Sequence, residues 1–173
     1  MPSVASVQDF LDQYNTYYPK IFGFFFRGCQ HRETAEDLTA TTFTKALRSI
    51  KTKGKTIDNF NAWIYKIATN ELIMYLNKQR RKRALVVEDA DGSLVDTARD
   101  ARREGDDFAD FWLVRHAVRQ LKTEERVLIE MHFFEKMDYA EMSEILKVKE
   151  VTLRSKIHRT LKKLRGILRE ADR

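Results

Sequence analysis

A run of cations near the middle of the chain is the first feature whose chemistry is specific. Lys78, Arg80, Arg81, Lys82 and Arg83 place five positive charges within six residues, which repel each other unless an anion neutralises them. Aromatic and amide side chains, which stack on unpaired bases and contact base edges, precede this run. They are Asn61, Trp63, Tyr65, Asn70, Tyr75 and Asn77. The combination predicts a surface for single-stranded nucleic acid, although helical spacing favours Trp63 as a core residue.

A second set of hydrogen-bond donors lies near the C-terminus, beside an apolar stripe that would anchor one side of a helix. The stripe consists of Leu153, Ile157, Leu161, Leu164 and Leu168. The donors project elsewhere and suit the base edges of the DNA major groove. They are Thr152, Arg154, Ser155, Lys156, His158 and Arg159. Because a shorter helix ends just before this one, the segment predicts a helix-turn-helix, with a plain basic amphipathic helix as the alternative.

Catalytic and metal-binding patterns are missing from the sequence. The histidines at positions 31, 116, 132 and 158 are scattered, and no His, Cys or carboxylate spacing suits a metal ion. The acid pairs at 36–37 and 124–125 are adjacent, so on a helix they point to different faces instead of forming an acid–base pair. No glycine loop suits a phosphate. We therefore expect no catalytic residue, no metal, no cofactor and no enzymatic activity.

The composition is that of a helical globular protein with a basic balance. In 173 residues, 32 Lys and Arg face 26 Asp and Glu, giving a net charge of +6 at pH 7. Two prolines and six glycines favour long helices. No apolar stretch approaches the roughly 18–20 residues of a transmembrane helix, and no signal peptide is evident. Cys29 is the single cysteine, so no internal disulfide is expected. These features predict a cytoplasmic protein without membrane insertion.

The charges fall into three blocks that indicate two domains. Residues 1–83 hold 14 basic and 7 acidic groups, 84–111 hold 3 and 9, and 112–173 hold 15 and 10. The acidic block has weak periodicity and exceeds the about 12–15 residues usual for loops in compact domains. We therefore expect a helical domain at 1–83, a flexible acidic linker at 84–107 and a helical domain at 108–173. A charged surface loop within one domain is the alternative.

Apolar residues at helical spacing predict the elements that must position these side chains. The first half should contain helices at about 7–28, 32–50 and 59–83, the third capped by Asp58 or Asn59. The second half should contain helices at about 108–121, at 138–146 and at 150–169, and a further helix that Thr123 caps. The apolar face of that further helix should consist of Val127, Leu128, Met131 and Phe134. Asp138 and Glu141 have the spacing of a capping box. The expected fold class is all-α, with the helix-turn-helix in the C-terminal domain.

Two segments of the first half resemble region 2 of bacterial RNA polymerase sigma factors of the sigma-70 family, and in particular the small extracytoplasmic-function (ECF) type. They are AEDLTATTFTKAL at 35–47 and NAWIYKIATNELIMYLNKQRRKR at 61–83. Ala40 and Thr41 stand where that family usually has Gln and Glu. The resemblance implies that one polar face of the second helix binds the clamp helices of the polymerase beta-prime subunit. Its residues are Asp37, Thr41, Thr44 and Arg48.

The same resemblance implies that the basic loop at 51–59 and the third helix open the minus-ten promoter element. Unstacked bases would be held there, much as other proteins hold flipped bases. The side chains expected to contact this element are Asn59, Asn61, Lys66, Asn70, Tyr75, Lys78, Arg80 and Arg81.

A segment of the second half, LKTEERVLIEMHFFEKMDYAEMSEILKVKEVTLRSKIHRTLKKLR at 121–165, is similar to sigma region 4. Lys147 and Val151 replace two glycines of that pattern. The resemblance implies that the six donors at 152–159 contact the minus-thirty-five element. It also implies the polymerase beta flap as a partner of this domain, besides promoter DNA, and an anti-sigma factor as a candidate partner.

Three functions are open at this point. A sigma factor would bind core polymerase and direct promoter recognition and opening in transcription initiation, and we favour this hypothesis. A stand-alone helix-turn-helix regulator would need a dimerisation surface and two half-sites on the DNA. A helical RNA-processing enzyme would need an acid–base or metal constellation, which the sequence does not offer.

Overall fold

The computed structural model describes residues 3–53, 56–87, 113–114 and 117–171. Their α-helices are α1 Val7–Cys29, α2 Arg32–Lys53, α3 Phe60–Val87, α4 Thr123–Ile129, α5 Tyr139–Leu146 and α6 Glu150–Ala171. A π-helical turn, Glu130–Phe134, continues α4 directly. Within these ranges, strand pairing is limited to an isolated bridge between Val4 and Ile57. The expected all-α fold class is confirmed.

α1 begins at a capping box formed by Ser6 and Asp9. The main-chain N–H of Asp9 donates to Ser6 Oγ at 3.1 Å, and the N–H of Ser6 donates to Asp9 Oδ2 at 2.9 Å. The N–H of Ala5 and the two Ser6 groups lower the pKa of the Asp9 carboxyl. The helix continues through Pro19 as one element, and Gln30, which follows its last residue, adopts a left-handed conformation with φ 60°.

The three helices of the first half pack around an aromatic core. The Phe10 ring centroid lies 6.1 Å from that of Phe43 and 6.0 Å from that of Phe60, in edge-on geometry. Gly28 lets α1 approach α3 closely, because a Cβ there would lie 2.8 Å from the methyl carbons of Leu72. These contacts fix α3 against α1.

α3 is longer than the sequence predicts. Asn59, and not Asp58, caps it by accepting the N–H of Ala62 at 3.1 Å. The helix ends at Val87, four residues into the expected linker. The remainder of that linker, to residue 107, lies outside the described residues, as do 108–112 and 115–116 of the next predicted helix.

The second half contains the predicted helix-turn-helix, formed by α5 and α6. The N–H of Glu141 donates to Asp138 Oδ1 at 2.8 Å, so the capping box is confirmed. α5 ends at Lys147, whose φ of 57° is left-handed and whose N–H donates to the Ser143 carbonyl at 2.9 Å. This is the conformation that glycine adopts at least cost, as expected for a position where the family has glycine.

α4 differs from the sequence prediction at both ends. Lys122 caps it through its own N–H, which donates to Glu125 Oε2 at 2.8 Å, and Thr123 is the first helical residue. At the other end the chain widens into the π turn. Phe134, expected on the apolar face, is therefore 50% exposed, whereas Met131 is buried.

The two halves of the described structure pack against each other. α3 contacts both α4 and α5, and α1 contacts the π turn. Buried side chains of both halves belong to one apolar cluster. Packing, as well as the connecting chain, therefore joins the halves.

Candidate nucleic-acid and polymerase interfaces

The polar face predicted on α2 lies on the surface. Asp37, Thr41, Thr44 and Arg48 fall within an arc of about 60°, opposite the buried residues of the helix. Asp37, Thr44 and Arg48 are exposed, and Thr41 is half-buried. The structure thus places all four side chains together, on a face that a partner helix can reach.

Two threonines on the other side of α2 were missed by the apolar pattern. Thr39 and Thr42 are buried, and their hydroxyls donate to the carbonyls of Ala35 and Leu38 at 2.6 and 2.8 Å. Because each hydroxyl is satisfied inside the helix, threonine serves here as a core residue. Residue type alone does not separate these threonines from the exposed ones.

α3 divides the side chains expected at the minus-ten element. Those within one arc of about 60° are Asn59, Lys66, Asn70 and Arg81. Lys78 and Arg80 are exposed and flank this arc on either side. Asn61 and Tyr75 lie about 150–170° away, and Tyr75 packs against the core. Helix geometry therefore places six of the eight expected side chains on or beside one face of α3. The side chain of Arg83, from the same basic run, lies outside the described residues.

Trp63 lies at the edge of this arc. It is half-buried, and its ring centroid is 5.8 Å from that of Phe60. Trp63 lines a cavity of about 400 Å³ together with Asn59 and Lys66. The Trp63 side chain is therefore anchored in the core, as helical spacing predicts, while part of it faces the polar arc.

The second half covers part of the same side of α3. Asn59 Nδ2 donates to Glu144 Oε2 at 3.0 Å. Thr123 Oγ1 donates to Asn77 Oδ1 at 3.2 Å. Asn59, just before α3, thus contacts α5, and Asn77, farther along α3, contacts α4.

α6 presents the six expected donors beside a buried stripe. Leu153 is 0% and Ile157 is 2% exposed, so these two residues anchor the helix. Lys156 is half-buried, and the other five donors are exposed, namely Thr152, Arg154, Ser155, His158 and Arg159. The predicted separation of anchoring and donor faces is present in the structure.

Local contacts hold several of these donors in place. The Arg154 guanidinium lies 4.8 Å from the Tyr139 ring centroid, a cation–π contact. Lys156 Nζ lies 3.4 Å from Glu124 Oε2. Arg159 Nε donates to a main-chain oxygen one turn earlier at 3.2 Å. In both arginines the guanidinium group makes the contact, and both residues are exposed on α6.

A cluster of charges between the halves was not found from the sequence. Arg27 Nε donates to Glu130 Oε2 at 2.9 Å, and Arg27 Nη2 also pairs with Glu135. The Tyr65 hydroxyl donates to Glu135. Burial raises the pKa of Glu130 to about 7, against the opposing effect of Arg27. Burial, and then the contact with Glu135, raises the pKa of Tyr65.

No metal or membrane feature emerges from the described residues. They contain no group of three or more His, Cys, Asp or Glu side chains that could hold a metal ion. The thiol of Cys29 donates to the His31 carbonyl at 3.3 Å, and burial raises its pKa. Within the described ranges, no helix combines the length and apolarity required to cross a bilayer.

Two family models match the chain. The model for Sigma-70 region 2 matches residues 13–82, and the model for Sigma-70 region 4 matches residues 111–164. RNA polymerase sigma factor YlaC of Bacillus subtilis (strain 168) is 26% identical over 166 residues, covering 94% of this chain and 95% of its own. ECF RNA polymerase sigma factor SigL of Mycobacterium tuberculosis (strain ATCC 35801 / TMC 107 / Erdman) is 26% identical over 136 residues, covering 79% and 75%.

Solved structures share the fold. The sigma factor RpoE, in complex with the anti-sigma factor NepR from Bartonella quintana, matches with a TM-score of 0.64 at 23% identity, covering 94% of this chain and 98% of its own. CnrH, in complex with the cytosolic domain of CnrY, matches with a TM-score of 0.65 at 18% identity, covering 97% and 92%. With both family models matched in order and relatives aligned over 79–94% of its length, the chain belongs to the sigma-70 family of RNA polymerase sigma factors, in the extracytoplasmic-function group.

Proposed function

We propose that this chain binds core RNA polymerase as an ECF sigma factor and directs promoter recognition and opening in transcription initiation. One observation carries the proposal: region 2 and region 4 are both matched in one chain, the first on α1–α3 and the second on the helix-turn-helix. The chain acts in the cytoplasm and supplies binding surfaces, while the chemistry of RNA synthesis belongs to the polymerase.

The polar face of α2 is the proposed site for the clamp helices of the beta-prime subunit. Asp37 and Arg48 present opposite charges about three turns apart along the helix. Thr41 and Thr44 add hydroxyls between them. Such a face offers a partner helix charge pairs and hydrogen bonds without burying a large apolar area. The beta flap is the proposed partner of the second half.

The exposed arc of α3 is the proposed site for the minus-ten element. Lys78, Arg80 and Arg81 would neutralise backbone phosphates. Asn70 and Lys66 would contact the edges of unstacked bases. Asn61 and Tyr75, on the other side of the helix, fall outside this narrower proposal.

α6 is the proposed reader of the minus-thirty-five element. With Leu153 and Ile157 holding one side, the helix can enter the major groove with its donor face forward. Arg154 and Arg159 have the planar donor fork that matches guanine, and Ser155 lies between them to contact base or phosphate. Thr152, Lys156 and His158 flank these three.

An anti-sigma factor is a proposed regulator of this chain. Two solved structures that share its fold are complexes, one of RpoE with the anti-sigma factor NepR and one of CnrH with the cytosolic domain of CnrY. We extend this type of partner to the present chain, which has the same two regions.

Run-off transcription with purified core polymerase tests the function. The reconstituted holoenzyme should initiate at discrete sites on genomic fragments, and core polymerase alone should not. Gel filtration should show co-elution of the chain with core. A dimer that binds duplex DNA unaided, with no co-elution, would instead support the stand-alone regulator.

Asp37→Arg tests the core-binding surface. We expect it to weaken competition against another sigma factor for core by at least about tenfold, which corresponds to about 1.4 kcal/mol, because the substitution reverses a charge at the proposed interface. Glu36→Arg is the matched control, since Glu36 is exposed on the same helix about 100° away. If both variants compete equally well, Asp37 is not part of the interface with core polymerase.

A further inference from the structure

The three central donors of α6 are held in different ways. Ser155 Oγ donates to the Val151 carbonyl at 3.0 Å, and Arg159 Nε donates to the Ser155 carbonyl at 3.2 Å. The main chain of α6 itself therefore holds these two side chains. The Arg154 guanidinium instead lies 4.8 Å from the ring centroid of Tyr139, which is the first residue of α5. The direction of Arg154 thus depends on a second helix.

Arg154 depends on such a contact because of its place on α6. At 100° per residue, it lies about 60° from the middle of the buried stripe, whereas Ser155 and Arg159 lie about 160° from it. A long side chain beside a buried stripe can lie back along the neighbouring helix or extend with the other donors. A contact that selects one of these directions before DNA arrives lowers the entropy lost on binding.

The Tyr139 ring is itself held in place by the π turn. His132, within that turn, stacks on it with ring centroids 4.9 Å apart and ring planes 29° apart. Nδ1 of His132 carries a hydrogen and donates it to the Met137 carbonyl at 3.0 Å. The N–H of Met137 in turn donates to the Met131 carbonyl at 3.0 Å. The π turn and the segment that leads into α5 therefore fix the position of the ring.

A ring contact leaves the donors of the guanidinium available to DNA. Stacking uses the face of a guanidinium, whereas its five N–H donors lie in its plane. An ion pair with a carboxylate would instead occupy the donors that O6 and N7 of guanine accept from. Arg154 is exposed and Tyr139 is half-buried, so the ring lies at the border between the core and the donor face. The Tyr139 ring can therefore support Arg154 without competing with a base.

We propose that Tyr139 is a positioning residue for recognition of the minus-thirty-five element. Its ring, backed by His132, holds Arg154 in the orientation that reads one base pair. The proposal rests on the proposed function, because it assigns a specificity role next to the same surface of α6. Tyr139 acts through Arg154 and contacts no base itself. Loss of the ring should therefore relax the preference at the base pair that Arg154 reads and leave the other positions unchanged.

Run-off transcription with reconstituted holoenzyme tests this role on promoters that differ by single base pairs in the minus-thirty-five element. Preference is the transcription from one base pair relative to the other three at that position. Arg154→Ala first identifies the base pair that Arg154 reads. Tyr139→Leu should lower the preference there by about two- to fivefold, the effect of an exposed cation–π contact. Tyr139→Phe keeps a ring and should retain most of the parent preference.

A double variant separates positioning from a general effect on the fold. Tyr139→Leu added to Arg154→Ala should cause no further loss of preference, because the two residues act as one unit. Circular dichroism reports whether Tyr139→Leu is folded. If it is not, Tyr139→Met takes its place, since its flexible side chain fills apolar space without a ring.

Tyr18→Leu is the matched control. Tyr18 is also half-buried, and its ring plane is also at 29° to that of an aromatic neighbour, Phe43, but it lies in α1. Its loss removes a stacked tyrosine of the first half. The base preferences across the promoter panel should therefore match those of the parent chain.

Each outcome decides between a positioning role and another one. Equal losses at every position of the panel, or further loss in the double variant, would make Tyr139 a purely structural residue and overturn the proposal. An unchanged panel for Tyr139→Leu would overturn it as well. If Arg154→Ala lowers no preference in an active holoenzyme, the positioning role is overturned and the proposed function stands. If the parent chain does not direct initiation by core polymerase, the proposed function is overturned and the positioning role with it.

Discussion

At the scale of single residues, Lys147 shows how the chain tolerates an unfavourable backbone. Its φ of 57° belongs to the left-handed region, where a Cβ meets the following carbonyl. Its N–H nevertheless closes the end of α5 on the Ser143 carbonyl. The turn therefore keeps its shape without glycine, and the cost is in stability, not in fold.

Lys147→Gly should stabilise the chain by about 1 kcal/mol, because relief of the left-handed strain exceeds the entropy that glycine adds to the unfolded state. Chemical denaturation followed by circular dichroism measures this change. Lys162→Gly is the control and should change stability in the opposite direction. Lys162 is exposed within α6, where glycine should lower the free energy of unfolding by about 1 kcal/mol. A destabilised Lys147→Gly variant would show that the lysine side chain makes a contact that outweighs the strain.

At the scale of elements, α6 combines two tasks on two sides. Its buried stripe holds it to α4 and α5, and its exposed side carries the donors. The buried stripe therefore stabilises the fold, and the donors serve the proposed binding to DNA. Substitutions on the two sides should therefore be separable in experiment.

Leu153→Ala should destabilise the second half by about 2–5 kcal/mol, because the side chain is fully buried and its removal leaves a cavity. Val151→Ala is the control, since Val151 is 75% exposed two residues earlier and should change stability by less than about 0.5 kcal/mol. Thermal unfolding followed by circular dichroism separates the two variants. Similar melting of both would mean that Leu153 does not anchor the helix.

At the scale of the whole molecule, packing of the halves places Glu130 where its protonation matters. Burial dominates and raises the pKa of Glu130 to about 7, while Arg27 and Arg126 oppose this rise and Glu135 adds to it. Tyr65 faces the same cluster through Glu135. The packed chain therefore binds more protons than the unfolded chain between the ordinary glutamate pKa and about pH 7.

The contribution of Glu130 to stability should be fully present below about pH 4.5 and lost as the pH rises through about 7. The unfolding free energy of the parent chain minus that of Glu130→Gln isolates this group. The difference should fall by about 1–3 kcal/mol between pH 5 and pH 8, because the parent alone loses stability when the buried carboxyl ionises. A pH-independent difference for Glu130→Gln would contradict the assignment.

Local sequence patterns predicted most of the helices and suggested two candidate DNA surfaces. Helical spacing located α1, α2, α5 and α6 to within a few residues, and the Asp138–Glu141 box is present as predicted. The donors of α6 and the polar face of α2 follow from periodicity, because a helix fixes the direction of every side chain along it. Capping and periodicity are local, so the local sequence suffices.

How the two halves meet depends on contacts between residues that are far apart in the sequence. Arg27 and Glu130 are 103 residues apart in the chain, and no periodicity relates them. The π turn that puts Glu130 and Glu135 on one side also escapes a pattern of 3.6 residues per turn, which placed Phe134 in the core. Thr39 and Thr42 look like surface residues until the packing buries them. These features depend on which surfaces are brought together in space, and that information lies in the packing of the whole chain.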